Sequence, residues 1–431
     1  MLKKNILIIS FSFLIILNQL NYFRFKIENY VLFFPRFLSL LFLIIFFIKI
    51  IDLLIKKFNL DLKNFIFLFL FFLQVFLSLI FVNDDFSNGG FKLKLLLSFI
   101  YEIIKYFFIY FFFCIIGLNL INNKNILLIF KIISSLTIII LLFGFFVLIN
   151  FHFTFFDLVQ RVFYYDSASA VGYRFFSVLG EPRDAAAFLI TNFFILLVIY
   201  LNFDKKIKQD LFFYFFIISF LSIIAFFLTK SFSGILGLFF GSVISILFYL
   251  EHLIIRKNVN FKKILKLLLI LFIFVFIFFI FSKFDRIFEY INQIYKFLLN
   301  NQNVDDRVKS QLKDILPVAI YIESIWSLNI KEIFFGYGSY SSYYLNNFEY
   351  AHPHSFFSRL IYDNGLIGLT LFLLFIYSCS SKQSKLVEKI SLSFCLGMFL
   401  AVNSTFLFTF IMFMLHIKNI NSKNQKNYEN K

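Results

Sequence analysis

Two of the five histidines fall within three residues, in the run Ala351-His352-Pro353-His354-Ser355. Histidine is the side chain whose proton moves near neutral pH, which suits either of them to general-base work. Just upstream lies Phe335-Gly336-Tyr337-Gly338-Ser339, where Gly336 and Gly338 permit a tight backbone approach to a ligand. An ordinary interfacial loop with polar histidines accounts for the same pattern equally well. A second cluster gathers Arg174, Glu181, Pro182, Arg183 and Asp184 at the start of an apolar run. Arginine grips diphosphate through paired, charge-assisted hydrogen bonds, so these cations suit a phosphorylated lipid. The plainer account makes Asp184 a helix cap and Glu181 with Arg183 a surface pair. No metal site is expected. His352 and His354 have no acidic or cysteine ligand set near them, and Asp305-Asp306 are adjacent rather than spaced as Asp-x-Asp.

The elements that must position these residues follow from composition. Of 431 residues, 61% are hydrophobic and 15% charged, and Phe alone occurs 75 times. A soluble fold has too few polar groups here to cover its apolar surface, and disorder is excluded for the same reason. Cys114, Cys379 and Cys395 are scattered among apolar runs, which excludes a disulfide scaffold. The net charge of +17 sits in short clusters between apolar runs. Clusters so placed set membrane topology and do not mark a nucleic-acid surface, so no nucleic-acid partner is expected. The excess of Phe, Ile, Leu, Asn and Lys resembles a bias toward A/T-rich codons, and aromatic stripes are read as lipid-facing filler.

The expected fold is therefore an all-α membrane protein, a single polytopic domain over 1–431. A span takes about 20 apolar residues. Clear spans are read at 64–82, 95–118, 128–150, 184–202, 211–229, 234–254 and 264–282, and less clean ones at 5–22, 37–55 and 361–378. The run 389–417 is split in two at Asn403-Ser404-Thr405, which gives a bundle of about 12 transmembrane helices. Placing Lys3 and Lys4 in the cytoplasm puts the basic clusters at 56–63, 205–208, 256–266 and 382–389 there as well, with both termini. The first apolar run lacks a small-residue cleavage site and is read as a retained helix. Two longer segments, 151–183 and 283–360, fall outside. In the longer one, Asp305 or Asp306 caps a helix from Arg307 to about Ser327. Its apolar stripe includes Ala319, Ile322 and Trp326 and is expected to lie on the membrane surface or cover the bundle.

The order of these motifs resembles the O-antigen polymerase and O-antigen ligase superfamily. Its members carry a long periplasmic loop with a His followed by Asn or Ser, ahead of a Gly-x-x-Gly that opens the next span. His354-Ser355 followed by Gly365-Leu366-Ile367-Gly368 fits that pattern, and Gly336-Tyr337-Gly338 matches the family's Gly-x-Gly. Arg307 matches an arginine at the start of the same loop, and Arg174 through Pro182 resembles an Arg element ending in Glu-Pro or Asn-Pro. The chain departs from the pattern at Thr229-Lys230-Ser231-Phe232-Ser233-Gly234, where the family commonly has Ser-Arg on the external side. Lys230 supplies the charge there instead, or simply snorkels at a helix end.

The resemblance implies a metal-independent, inverting glycosyltransferase in the bacterial inner membrane, with no cofactor. Its donor would be a glycan on undecaprenyl diphosphate, and its acceptor a glycan or a lipid core. His354 would be the base, and Arg307 and Arg174 would stabilise the diphosphate leaving group. Lys230, Glu181, Arg183, Gly336, Gly338 and His352 would contact substrate. The product would be O-antigen, capsule or exopolysaccharide, and a flippase and a chain-length regulator would be partners alongside membrane lipids. The Gly180-Glu181-Pro182 wording leans toward a polymerase that joins repeat units. The alternatives are a ligase that moves the finished chain to lipid A-core or protein, and a flippase for lipid-linked sugars. A flippase would need repeats or helices broken at the membrane midplane, which the sequence does not display.

Overall fold

The computed structural model describes residues 25–27, 30–32, 62–79, 100, 106, 123–148, 175, 182–255, 317–339, 341–342, 355–379, 386–402 and 411. The described elements are helical except for one small antiparallel hairpin. Its strands, β1 (Phe25–Ile27) and β2 (Tyr30–Leu32), pair with Lys26 opposite Val31. The all-α expectation did not include this hairpin. It falls between the first two apolar runs read from the sequence, so it adds no span.

Among the described residues, five helices are long and apolar enough to cross a membrane. Their apolar stretches are Ile126–Phe146, Pro182–Leu201, Lys205–Thr229, Ser233–Glu251 and Phe356–Ser378. Each coincides with a span read from hydropathy. The helices that contain them, with their neighbours, are α1 (Leu62–Ser78), α2 (Asn123–Leu148), α3 (Pro182–Leu201), α4 (Lys205–Thr229) and α5 (Phe232–Ile255). There follow α6 (residues 317–326), α7 (Ile330–Phe335), α8 (Phe356–Cys379) and α9 (Leu386–Ala401). The spans read at 5–22, 37–55 and 264–282 lie outside the described residues, as does nearly all of 95–118. α9 stops at Ala401, just before the Asn403 interruption.

Contacts divide the chain into two compact units that interleave in sequence. One takes 1–60, 106–245 and 384–431, and the other takes 61–105 and 246–383. In the first, α3 is the central helix. Ala185, Ala186, Ala187, Phe188 and Leu189 are fully buried along it. By contrast, Phe212, Phe213, Phe216 and Phe220 on α4 are exposed, the outward stripe of a helix that faces hydrocarbon. α5 crosses α9 through Gly237 and Gly241. A Cβ added to Gly397 would stand 2.3 Å from Gly237 O, so only small residues allow this backbone approach.

Within this unit, paired ends agree with antiparallel spans. Asn202 Nδ2 donates to Glu388 Oε1 at 3.3 Å, joining the α3–α4 connection to the start of α9. Phe175 N donates to the Leu228 carbonyl at 3.0 Å, joining the segment before α3 to the far end of α4. The sequence reading put each of these pairs on one side of the membrane.

In the second unit α1 packs against α8, with the rings of Phe71 and Phe372 centred 5.5 Å apart. α8 starts at Phe356, earlier than the 361 read from hydropathy. Ser355 caps it: Ser358 N donates to Ser355 Oγ at 3.2 Å, the bond that an N-cap serine makes to the third helical residue. Gly365 does not open the helix but breaks it from inside, with φ 60° and ψ −163°. The Arg307–Ser327 helix of the sequence reading is described only from 317. Its packed face is Tyr321 and Ser324, whereas Ile322 and Trp326 of the apolar stripe are exposed.

Candidate functional site

The described part of the second unit builds its site around the break in α8. A helical carbonyl normally accepts from the N–H four residues on, and at Gly365 this ladder is interrupted. The segment after α7 fills the gap. Tyr337 N donates to the Tyr362 carbonyl at 2.9 Å, and Gly338 N to the Asp363 carbonyl at 3.1 Å. The two backbones lie so close that a Cβ on Gly336 would meet the Asp363 carbonyl carbon at 2.5 Å. A Cβ on Gly365 would meet the Phe334 carbonyl carbon at 2.6 Å. Both glycines also have positive φ, 77° and 60°, where a side chain is strained in any case. The Gly-x-Gly and Gly-x-x-Gly motifs are thus two halves of one interlock. The close approach foreseen for Gly336 is to the kinked helix backbone.

Side chains complete the interlock. Asn364 Oδ1 lies 2.8 Å from Ser339 Oγ and 2.9 Å from Ser78 Oγ and can accept from either. The Ser78 and Ser339 hydroxyls are within hydrogen-bond reach of each other, one donating to the other in turn. The Val75 carbonyl, 2.7 Å from Ser339 Oγ, is the alternative acceptor for that hydroxyl's one proton, so the end of α1 is tied in. Asp363 Oδ1 accepts from Ser342 N at 2.9 Å and Ser341 Oγ at 3.3 Å, and Asp363 is only 2% exposed. A carboxylate so buried needs such donors to offset its lost hydration. The Tyr337 and Tyr362 rings stack 4.5 Å apart. Outside the spans, burial raises the phenols of Tyr321 and Tyr337 above the ordinary tyrosine range. Both therefore stay neutral hydroxyls at neutral pH. Tyr321 Oη donates to the Ile333 carbonyl at 2.7 Å, and Tyr337 Oη bonds Ser324 Oγ. Arg359 is buried beside Phe356, its guanidinium carbon 5.5 Å from the ring centre.

In the first unit, the turn between α4 and α5 carries Lys230. Its backbone is left-handed, with φ 47° and ψ 36°, and its N–H bonds the Phe227 carbonyl at 3.2 Å. Neighbouring hydroxyls close the turn: Ser231 N donates to Thr229 Oγ1 at 3.3 Å, and Gly234 N to Ser231 Oγ at 3.1 Å. The Lys230 side chain is exposed. Arg183 lies in the first turn of α3 behind Pro182, the residue best suited to a first helical position. Asp184, in the same turn, is buried. Phe175, which follows Arg174, is fully buried with its ring against Phe145 and seated where a Cβ on Gly144 would intrude at 2.2 Å. Its bond to Leu228 ties the residue after Arg174 to a carbonyl two residues before Lys230.

Of the residues singled out from the sequence, Lys230, Arg183, Gly336 and Gly338 are described. His352, His354, Arg307, Arg174 and Glu181 lie outside the described residues. The residues the sequence reading passed over are Asp363, Asn364, Ser339 and Phe175. An acid and an amide directly before Gly365, in an otherwise apolar run, were the available signal for Asp363 and Asn364. Phe175 had none among 75 phenylalanines.

Fold and site together define a polytopic helical membrane protein in which the segment after α7 is locked into a broken span. Residues 217–373 match the family model described as O-Antigen ligase, which supports the O-antigen ligase/polymerase superfamily and a membrane enzyme of polysaccharide biosynthesis. The match takes in Lys230, Arg307, His352, His354 and both glycine motifs of the interlock; Val75 and Ser78 of α1, with Arg174, Glu181 and Arg183, precede it. No curated protein and no solved structure matches the chain.

Proposed function

We propose that the chain is a glycosyltransferase of the bacterial inner membrane that joins undecaprenyl-diphosphate-linked repeat units at the periplasmic face, with both termini cytoplasmic. The family match over residues 217–373 carries this reading, and the interlock at Gly365 supports it by giving the motif glycines a physical purpose beside the histidine loop. His354 directly precedes Ser355, the cap of α8. It takes the proton of the acceptor hydroxyl as that oxygen forms its bond to the anomeric carbon. The bond from that carbon to the diphosphate breaks, with inversion, and undecaprenyl diphosphate leaves. Arg307, Arg174 and Lys230 stabilise the charge gathering on the leaving group, a task for fixed cations. Gly336 and Gly338 shape the loop, and Glu181, Arg183 and His352 complete substrate contact. A flippase and a chain-length regulator are the expected protein partners. The ligase reading draws on the description of the matched family.

The test uses the purified full chain, synthetic lipid-linked repeat units and, separately, a lipid-core acceptor. Ladders from repeat units alone identify a polymerase, and transfer only to the core identifies a ligase. Losing a general base lowers rates by about 10²–10⁴-fold. His354→Gln is therefore expected to remove detectable product and His352→Ala to leave a measurable fraction. Near wild-type turnover by His354→Gln would make His354 a positioning group and not the base.

A further inference from the structure

One exposed face of the second unit has no part in this chemistry. Ile322, Ile325 and Trp326 on α6, Leu328 in the connection, and Ile330 and Phe334 on α7 all project outward, Trp326 being 83% and Leu328 77% exposed. Leu328 is the telling residue. α6 closes with Asn329 N on the Ser324 carbonyl at 3.0 Å and Leu328 N on the Ile325 carbonyl at 3.2 Å. That closure places Leu328 at the position where glycine is favoured, and Leu328 adopts it at φ 53°. The backbone there disfavours any side chain, and water disfavours exposing this one. In an aqueous loop leucine would meet both objections. Against hydrocarbon the second disappears.

The interlock fixes the depth of this ridge. Tyr337 and Gly338, which directly follow α7, bond Tyr362 and Asp363, six and seven residues past Phe356. At 1.5 Å per residue this is about 9–11 Å along α8 from its first residue. Ser339 also meets Ser78, the last residue of the apolar helix α1. One apolar helix ends at this level and a span is still in its first third. The apolar run of α8 is 361–378, which at 1.5 Å per residue crosses about 27 Å, close to the hydrocarbon core of about 30 Å. Tyr362 and Asp363 thus stand at the edge of that run, near the boundary between headgroups and acyl chains. Tryptophan concentrates at such boundaries. Exposed Glu323 and Lys331 border the ridge.

We propose that α6 and α7 form an interfacial anchor that lays its apolar ridge into the lipid of the bilayer crossed by α8, with Trp326 and Leu328 at its crest. The anchor holds the Gly336–Ser342 loop at headgroup level, where a lipid-linked donor presents its diphosphate. The inference rests on α8 being a span and not on the catalytic assignment. Its test reads no activity, so it can fail while the proposed function stands.

Trp326 is the one tryptophan in the chain, so tryptophan emission from the full-length protein has a single source. The protein is reconstituted into vesicles of phosphatidylethanolamine and phosphatidylglycerol that contain lipid brominated near the headgroup or near the chain end. Aqueous iodide is the third quencher. Strongest quenching by the shallow bromines, with weak quenching by iodide and by the deep bromines, is the expected result. Strong iodide quenching without bromine quenching would mean a water-facing ridge. Protection from every quencher would mean a ridge covered by protein, whether a partner or a second copy. Either result overturns the anchor. Leu328→Asp changes an exposed position and is expected to red-shift the emission and raise iodide quenching. Unchanged spectra from a folded Leu328→Asp protein would also overturn it.

Discussion

Among the described residues the helical backbone breaks at Lys230, between α4 and α5, and at Gly365, inside α8, and the two breaks are closed in opposite ways. At Lys230 the chain turns back from α4 to α5, and everything that closes the turn lies within eight residues: Phe227 O, Thr229 Oγ1 and Ser231 Oγ. At Gly365 the freed carbonyls of Tyr362 and Asp363 are taken up by Tyr337 and Gly338, some 25 residues earlier in the chain. The first break keeps a left-handed lysine and presents its charge to solvent. The second leaves no room for a side chain on either strand of the interlock. A locally closed turn is free to vary its side chain and so can carry function at its tip. A remotely closed break is committed to glycine and acts by holding another segment in place.

The contrast fails first at Gly365. Gly365→Ala combines a disfavoured φ with a backbone collision, and together these should cost about 3 kcal/mol or more. The expected outcome is a large drop in folded protein by thermal unfolding in detergent, with product lost in parallel. Gly336→Ala should behave alike, because its collision is with the same stretch of α8. If Gly365→Ala unfolds at the wild-type temperature, the interlock is looser than its geometry and the distinction between the two breaks dissolves.

Lys230 should respond in the reverse sense. Lys230→Gly relieves the left-handed residue, which a side chain makes unfavourable by about 1 kcal/mol, so unfolding temperature should hold or rise. Product formation should nevertheless fall, because the cation is gone, and Lys230→Arg should restore it. A Lys230→Gly protein with full activity would leave that charge with no role in the reaction.

The same contrast explains what the sequence could reveal. Each of the seven long helices among the described residues falls on a hydropathic run, because lipid imposes length and apolarity on a span residue by residue. Boundaries slipped where polar residues continue a helix: α4 begins at Lys205, not 211, and α8 at Phe356, not 361. Motif glycines were legible as places of close approach, but not the partner they approach, since nothing local in Gly336-Tyr337-Gly338 points to Tyr362 or Asp363. Asp363 and Asn364 read as ordinary polar residues near a helix mouth until the structure buried them. The stripe through Ile322 and Trp326 suits either the membrane surface or a cover over the bundle; both residues are exposed, and it is Tyr321 and Ser324 that pack, through their hydroxyls. Periodicity reports which residues share a face and is silent on what the face meets.

The smallest expected effect lies at the start of α8, whose entry is closed locally although its kink is closed remotely. Ser355 Oγ accepts the Ser358 N–H at 3.2 Å, and Ser355 is 4% exposed. Water therefore does not replace the bond when the hydroxyl is removed. Loss of a serine cap typically costs about 1 kcal/mol, so Ser355→Ala should lower the unfolding temperature modestly. Activity should drop more than that modest loss of stability explains, because the capped turn sets the course of the chain directly after His354. Ser355→Asn should recover both, since asparagine accepts the same bond at an N-cap. That outcome would give a physical reason for the family's choice of Ser or Asn after the histidine. If Ser355→Ala and Ser355→Asn are equally active, the position serves packing. The local closure of α8 would then contribute nothing to the reaction, and positioning would fall to the remote closure at Gly365 alone.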